Sequence, residues 1–227
     1  SAASDVYKRQ FQKLVFNREM EALKVLNSCS NIVKIRDTTA SLKYKGKSNY
    51  GAILMDYVDG KTLDLYDWHL FPQLKKYEIC DKILQAVYNA HANDVIHRDL
   101  KPQNIIYDDV KDEITIIDFG SSKIKTIIEK ETTMPMFSEN YSAPEVVKGY
   151  DITEKCDYYS LGIIFSELFL CEEARSSVEM LSMIKSSSMD ELLKGIICSM
   201  IQENPSDRPN SIEEIADVFT QLIGCLL

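Results

Sequence analysis

The sequence predicts an α+β fold in two lobes, because a first third that carries strand patterns is followed by a mostly helical remainder. At 227 residues the chain is long enough to bury a core without disulfides or a structural metal. Asp and Glu total 35 against 26 Lys and Arg, which gives a formal charge of −9. This balance argues against a nucleic-acid partner, since binding to a phosphate backbone requires a basic surface.

The sequence contains no stretch that is long and apolar enough to span a bilayer, which takes about 20 residues. The best apolar run, Leu161–Leu170, is ten residues long and is interrupted by Ser166 and Glu167. The six cysteines lie far apart, without the paired spacing of a zinc site or the density of a disulfide scaffold. We therefore predict reduced cysteines and a cytoplasmic protein, or a cytoplasmic domain of a longer one.

The first third is predicted to form one helix and two strands. Apolar residues recur at helical spacing within Phe11–Asn27, whereas Asn31–Ile35 and Ala52–Val58 are apolar, β-branched runs typical of strands. Residues 1–10 show no hydrophobic period, and part of this segment, like residues 225–227, resembles the end of a transposon used in library preparation. We expect both terminal segments to be non-native.

The remainder is predicted to be mainly helical around one hairpin. Leu74–Ala92 carries two adjacent apolar stripes at i, i+4 spacing, and the runs Asn104–Tyr107 and Glu113–Ile117 flank a polar turn. Residues 118–145 show no sustained period, which predicts a long irregular loop of a kind that is usually functional. Two further helices are predicted from the apolar spacing over Leu161–Phe169 and from the capping-box spacing of Ser211 and Glu214.

The chemistry is concentrated in the run His97–Asn104, which reads HRDLKPQN, and in the acid Asp118. Because the hairpin begins at Asn104 and ends just before Asp118, we expect these side chains to be neighbours that offer oxygen ligands to a hard cation such as Mg²⁺. Lys101 places positive charge near any phosphate that the cation carries. Asp99 is left to accept a proton from an incoming hydroxyl. This set is sufficient for phosphoryl transfer, where catalysis is mainly positioning and charge neutralisation.

Three motifs in this order resemble the protein kinase signature set: HRDLKPQN over His97–Asn104, DFG over Asp118–Gly120 and APE over Ala143–Glu145. The resemblance covers about residues 11–223. It implies a protein-kinase-like two-lobed fold, with a partial small β lobe over residues 11–58, which holds the family's helix C and strands 4 and 5. A complete, mainly helical large lobe would cover residues 59–224. The resemblance also implies ATP and Mg²⁺ as cofactors and a protein substrate with a Ser or Thr acceptor.

The resemblance assigns catalytic roles to four residues. Asp99 would orient the substrate hydroxyl and accept its proton, and Lys101, typical of serine/threonine-directed members, would neutralise the γ-phosphate. Asn104 and Asp118 would be the two Mg²⁺ ligands. The implied nucleotide-binding positions are Glu19 of helix C, the gatekeeper Met55, the hinge residues Asp56 and Val58, whose backbone groups would contact adenine, and Ile106 beneath the ring.

Other positions match structural and regulatory residues of the family. His97 and Phe119 would belong to a hydrophobic stack that sets the active state. Glu145 is expected to pair with Arg208, and Asp157 is expected to brace the catalytic loop. The regulatory positions are Arg98, where a phosphorylated loop could dock, Thr132 and Thr133 as candidate phosphosites, and Ser138 as a contact of Asp99 and Lys101. The histidines His69 and His91 are interpreted as structural or surface residues.

Two elements of the family pattern are missing from the sequence. It contains no Gly-x-Gly-x-x-Gly loop, and no strand lysine precedes Glu19 at a workable distance. The chain is therefore either an N-terminally truncated kinase or a pseudokinase that serves as a docking module, and a small-molecule kinase of similar fold is a third interpretation. Because Asp99, Asn104 and Asp118 are all present, the sequence favours truncation. We expect the fragment itself to be weakly active or inactive.

Overall fold

The computed structural model describes residues 2–44, 47–125, 138 and 140–227. Its helices are α1 (Ala2–Val25), α2 (Gln73–Ala92), α3 (Pro144–Lys148), α4 (Lys155–Leu170), α5 (Ser177–Ser186), α6 (Glu191–Met200) and α7 (Ile212–Gly224). Its strands are β1 (Ile35–Tyr44), β2 (Lys47–Met55), β3 (Lys61–Thr62), β4 (Val95–Ile96), β5 (Ile105–Asp108), β6 (Glu113–Ile116) and β7 (Lys123–Ile124). Short 3₁₀ turns cover Leu26–Ser28, Leu63–Leu65, Trp68–Leu70, Pro102–Asn104 and Pro205–Asp207.

The small lobe consists of α1 packed against the antiparallel pair of β1 and β2. The register places Ile35 opposite Met55, and irregularities interrupt the ladder further along. The ring of Phe16 in α1 lies so close to β2 that a Cβ on Gly51 would come within 2.7 Å of it. A side chain at that position would therefore require the Phe16 ring to move.

α1 begins at Ala2, well before the predicted start at Phe11. Residues 2–10 contain neither Gly nor Pro, so the sequence provides nothing that would end a helix there. A hydrophobic period indicates which residues of a helix are buried, but it does not indicate where the helical backbone begins. The period therefore predicted a helix that was too short.

The strand predicted over Asn31–Ile35 is largely wrong. β1 starts at the last residue of that range, and of the described residues before it only Ile32 forms a bridge, parallel to Ile116 of β6. Asn31 has a left-handed backbone with φ of 63°, and its side-chain amide donates to the carbonyl of Ile114 at 3.0 Å. This segment joins the small lobe to the hairpin of the large lobe.

The large lobe is built around α4, whose Leu161, Ile164 and Phe165 are fully buried. Phe219 of α7 contacts the ring of Phe165 edge-on, with 5.2 Å between the centroids. The ring of Tyr77 in α2 lies 6.2 Å from that of Phe219. The helices predicted from these apolar stripes are thereby confirmed.

α7 begins at the predicted cap. The hydroxyl of Ser211 accepts the Glu214 N–H at 3.3 Å, and the carboxylate of Glu214 accepts the N–H of Asn210 at 2.8 Å. These bonds satisfy backbone donors that the first turn of a helix leaves without partners.

β5 and β6 form the predicted hairpin, with Ile105 opposite Ile116. β3 adds a third strand beside β5, and β4 pairs with β7. The N–H of Ile117 donates to the carbonyl of Asn104 at 2.9 Å, so the chain returns beside the start of the hairpin immediately before Asp118. In its described part, the loop predicted over residues 118–145 holds only β7 and the start of α3.

All six cysteines are free. Within the described residues, the helices are too short or too polar to cross a membrane.

Candidate active site

Asp157 holds the catalytic loop in a strained backbone conformation. Its carboxylate accepts the backbone N–H of His97 at 2.9 Å and that of Arg98 at 2.9 Å, and Nε2 of His91 donates to it at 2.8 Å. Arg98 has φ of 67°, a conformation that costs about 1–3 kcal/mol in a residue with a side chain. Burial is the largest single influence and opposes ionisation of this enclosed carboxyl, but the hydrogen bond and charge of His91 together with the charge and backbone N–H of His97 outweigh it and lower the pKa of Asp157. The ionised acid therefore fixes the loop that carries Asp99.

Asp99, Lys101 and Ser138 form a closed triangle of hydrogen bonds. Nζ of Lys101 lies 2.9 Å from Oδ2 of Asp99 and 3.1 Å from Oγ of Ser138, and the Ser138 hydroxyl donates to Oδ1 of Asp99 at 2.7 Å. The structure thus brings Ser138 together with Asp99 and Lys101, which is the contact that the kinase resemblance implied. Each carboxylate oxygen keeps a second lone pair that can accept from a substrate hydroxyl.

Asn104 and Asp118 present oxygen atoms at the two ends of the hairpin. The Asn104 amide nitrogen donates to the Asp99 carbonyl at 2.9 Å, which leaves Oδ1 as the atom that a ligand could use. Asp118 is exposed, has φ of 63°, and accepts the Gly120 N–H with Oδ1 at 3.3 Å. An amide and a carboxylate oxygen suit Mg²⁺, which proteins hold through one or two carboxylates together with substrate phosphates. The described residues hold no group of three or more His, Cys, Asp or Glu side chains fit for a metal, so phosphates and water would complete this shell.

The rings of His97 and Phe119 are in contact, with centroids 4.7 Å apart and planes tilted by 54°. Both side chains are buried, and Leu23 of α1 belongs to the same core. Nε2 of His97 lies 3.2 Å from the carbonyl of Ile117, which fixes the imidazole against the segment that leads to Asp118. The structure thus brings the predicted stack together between α1 and the catalytic loop.

Glu19 of α1 faces Asp118. Burial raises the pKa of Glu19, and the negative charge of Asp118 raises it further. Glu19 forms no hydrogen bond or ion pair with another side chain in the part of the chain that the structure describes. Two carboxylates close to each other repel, so a cation bound between them would stabilise both charges.

The hinge predicted at Asp56 offers fewer backbone groups than expected. The N–H of Asp56 donates to the carbonyl of Lys34 at 2.9 Å, so its carbonyl is the backbone group left to contact adenine. The guanidinium of Arg36 contacts the Asp56 carboxylate through Nε and donates a second bond from NH2 at 2.7 Å. This hydrogen-bonded cation lowers the pKa of Asp56. Of the other predicted nucleotide positions, Met55 is 38% exposed and Val58 and Ile106 are half-buried.

Glu145 and Arg208 form the expected ion pair across the large lobe. NH1 and NH2 of Arg208 donate to the two carboxylate oxygens of Glu145 at 2.6 and 2.8 Å. The same guanidinium donates to the carbonyls of Gln202, Lys155 and Glu203 at 2.8, 2.8 and 3.1 Å. Arg208 is 3% exposed and Glu145 is 4% exposed, so this is a buried pair whose donors are saturated.

The guanidinium of Arg98 is engaged within the fold. Its Nε and NH2 donate to the carbonyls of Ser121 and Ser122 at 2.5 and 2.7 Å. These bonds use two of the five N–H donors of the guanidinium and hold it against the segment that follows Gly120. The candidate phosphosites Thr132 and Thr133 lie outside the described residues.

Sequence reasoning missed the part that His91 and Glu167 play in supporting the site. The sequence predicts a structural or surface role for His91, and the structure shows it buried with Nε2 donating to Asp157, a partner that the sequence does not identify. The carboxylate of Glu167 accepts the Tyr141 hydroxyl at 2.9 Å, beside the segment that carries Ser138. These partners lie far apart along the chain, and no local pattern in the sequence signals either contact.

The two-lobed fold, together with a catalytic loop that presents an oriented aspartate, a lysine and two oxygen ligands, defines a protein kinase catalytic domain. The sequence matches the protein kinase domain family over residues 3–222. The chain therefore belongs to the protein kinase domain family, as the three motifs predicted.

Several curated relatives are named as serine/threonine protein kinases. The chain is 33% identical over 157 residues to the serine/threonine-protein kinase PrkC of Bacillus subtilis, a match that covers 67% of this chain and 23% of PrkC. It is 32% identical over 228 residues to a protein of Clostridium acetobutylicum named as a probable serine/threonine-protein kinase, which covers 91% of this chain and 33% of that protein. The chain thus spans about a quarter to a third of the length of these relatives.

A solved structure shows the same fold. The kinase PK-1 of the Cydia pomonella granulovirus superposes with a TM-score of 0.66 at 18% identity, over 88% of this chain and 78% of that one. This likeness confirms the predicted kinase-like α+β architecture and its helical large lobe.

Proposed function

We propose that this chain carries the catalytic machinery of a serine/threonine protein kinase that transfers the γ-phosphoryl group of ATP to a protein hydroxyl. The observation that carries the proposal is the triangle of Asp99, Lys101 and Ser138 beside the oxygen atoms of Asn104 and Asp118. Phosphoryl transfer needs an oriented acceptor for the hydroxyl proton, a cation for the phosphate and oxygen ligands for a metal. All three are present in one loop and one hairpin.

Asp99 accepts the hydrogen of the substrate hydroxyl and aims its oxygen at the phosphorus atom. Lys101, which is 2.9 Å from that carboxylate, neutralises charge on the transferred group. Ser138 holds the acid and the cation in a single geometry. Positioning of this kind accounts for most of the catalysis in phosphoryl transfer.

ATP and Mg²⁺ are the cofactors we infer. Asn104 and Asp118 would hold the metal through their oxygens, and bound Mg²⁺ supplies charge neutralisation at the phosphates. The carbonyl of Asp56 and the backbone of Val58 would contact adenine, with Ile106 beneath the ring. Glu19, which faces Asp118, is available to a cation that approaches the phosphates.

The substrate and the cellular setting are also part of this proposal. Several curated relatives are named as serine/threonine protein kinases, which supports a protein with a Ser or Thr acceptor over a docking role or a small-molecule substrate. The six free cysteines, together with a need for ATP, support a cytoplasmic location.

The test is transfer of labelled phosphate from γ-labelled ATP to a general Ser/Thr substrate protein, with the full-length gene product and the 227-residue chain assayed in parallel. Asp99→Asn is expected to reduce turnover by about 10²–10⁴-fold, because it removes the proton acceptor and keeps the shape. Removal of Mg²⁺ by chelation is expected to abolish transfer. The matched control is Asp109→Asn, which replaces an exposed acid in the hairpin turn and should leave turnover unchanged. Full activity in the Asp99→Asn full-length protein would refute the proposal.

A further inference from the structure

Ser142 binds both backbone groups of Ser138. Its Oγ accepts the N–H of Ser138 at 2.9 Å, and its own N–H donates to the Ser138 carbonyl at 3.1 Å. The N–H of Tyr141 donates to the same carbonyl at 3.2 Å. Ser138 and Ser142 are therefore the two ends of a closed turn, and the side chain of Ser142 supplies the bond to the Ser138 N–H.

The turn is attached to the core of the large lobe next to Ser142. Oγ of Ser160 in α4 donates to the Tyr141 carbonyl at 2.9 Å, and the Tyr141 hydroxyl donates to the Glu167 carboxylate, also at 2.9 Å. Ser160 is buried, so the first of these bonds is enclosed. Because Ser142 directly follows Tyr141, its backbone is held by a rigid helix, and its side chain can hold Ser138 in turn.

The placement of Ser138 decides the geometry of the catalytic triangle. Its hydroxyl donates to Oδ1 of Asp99 at 2.7 Å and lies 3.1 Å from Nζ of Lys101. A displacement of about 1 Å at a catalytic group can lower turnover about 10²-fold. Within the described residues, the Ser142 hydroxyl bonds to Ser138 and to neither Asp99 nor Lys101. An effect of Ser142 on catalysis would therefore have to act through Ser138.

We propose that Ser142 is a positioning residue for phosphoryl transfer. Its hydroxyl fixes the backbone of Ser138, so that the Ser138 side chain can join Asp99 to Lys101. This role rests on the proposed function, because it assigns a further residue to the same site. Ser142→Ala removes the bond from the side chain and leaves the backbone bonds of the turn, so the role can be tested at a single hydrogen bond.

The first measurement is the turnover of the full-length gene product. Ser142→Ala is expected to lower kcat by about three- to fivefold with KM unchanged, because it loosens a group that acts in the transition state. Ser142→Thr keeps a hydroxyl at this position and should retain kcat. The matched control is Ser199→Ala, which removes a half-buried hydroxyl bonded to the Ile196 carbonyl in α6 and should leave kcat unchanged.

A double-mutant cycle separates positioning from a general structural effect. If Ser142 acts through the Ser138 hydroxyl, Ser142→Ala should cause no further loss of turnover in a Ser138→Ala background. A merely structural role would lower turnover by the same factor in both backgrounds. Equal factors, or an unchanged kcat in the single variant Ser142→Ala, would overturn the proposal.

Hydrogen exchange at the Ser138 amide, measured by NMR on the 227-residue chain, reports on the same bond without phosphoryl transfer. Ser142→Ala should make this amide exchange about three- to tenfold faster, whereas Ser199→Ala should leave its rate unchanged. An unchanged rate in Ser142→Ala would overturn the role of Ser142 whatever the activity. The two proposals fail separately, since a lack of transfer by the unmodified full-length protein refutes the proposed function, and transfer that Ser142→Ala leaves unchanged refutes only the positioning role.

Discussion

Replacement of Arg208 by Met is expected to destabilise the chain more than replacement of its ion-pair partner Glu145 by Gln. The two side chains share a bidentate contact at 2.6 and 2.8 Å and are almost completely buried. Loss of one partner from such a pair leaves the other charge enclosed, which costs about 3–5 kcal/mol.

The two replacements differ because the guanidinium has more partners than the carboxylate. Arg208→Met strands the Glu145 charge and also leaves the carbonyls of Gln202, Lys155 and Glu203 without their donor. We expect it to reach the upper end of the range, about 5 kcal/mol. After Glu145→Gln, the guanidinium keeps those carbonyls and an amide oxygen, so the loss is about 2 kcal/mol.

Urea denaturation followed by circular dichroism measures both losses, and thermal melting gives a second reading. For a chain of this size, 1 kcal/mol corresponds to about 2–4 °C in Tm, which predicts shifts of about 10–20 °C for Arg208→Met and 4–8 °C for Glu145→Gln. Lys148→Met is the control: its pair with Glu203 has a similar length of 2.9 Å, but the side chains are 48% and 77% exposed. Exposed pairs contribute less than about 1 kcal/mol. Equal losses in unfolding free energy for Glu145→Gln and Arg208→Met would show that the number of bonded donors does not set the cost. A loss for Lys148→Met as large as either would show that burial does not set it.

Three further outcomes follow from the site. Ser138→Ala should lower turnover by about tenfold, because the Ser138 hydroxyl joins Asp99 to Lys101, and Ser138→Thr should retain turnover because it keeps that hydroxyl. Steady-state kinetics on both variants of the full-length protein measures the difference. The lowered pKa of Asp157 means that its contribution to stability is present above the ordinary value of 3.8 and is lost as the pH falls below it. The destabilisation by Asp157→Asn, measured by urea denaturation, should therefore be large at pH 7 and shrink below pH 3.8, and a loss that does not change with pH would contradict the assignment. Phe119→Ala should cost about 3–5 kcal/mol in urea denaturation, since the ring is fully buried against His97, and a loss below 1 kcal/mol would show that the contact is weak.

The sequence predicted those elements whose signal is local. The apolar stripe of α4, the hairpin of β5 and β6 and the cap at Ser211 each depend on residues within a few positions of one another. The segment at Asn31 shows where local patterns fail. Its backbone is left-handed and its amide bonds to Ile114, so its conformation is decided by a strand that follows far along the chain.

The candidate site divides in the same way. Motif spacing predicted that Asn104 and Asp118 would meet, because a hairpin must return the chain to its start, and the bond from Ile117 to Asn104 shows that return. The contact of His91 with Asp157 crosses 66 positions and depends on how two helices pack. No spacing rule predicts which buried histidine will face which acid, so only the three-dimensional arrangement identifies that pair.

Acids of the same chemical type serve two different purposes in this domain, and the number of donors that the fold supplies decides which. Asp157 and Glu145 are 0% and 4% exposed, and their oxygens are occupied by backbone, histidine or guanidinium donors. A carboxylate held by so many donors is fixed in position, which suits it to support a loop. Asp118 is exposed and has one weak backbone donor, and Asp99 keeps lone pairs beside its cation. The oxygens of these two acids can still accept a hydroxyl hydrogen or bind a metal ion. The acids suited to catalysis are therefore those whose oxygens the fold leaves with too few hydrogen-bond donors.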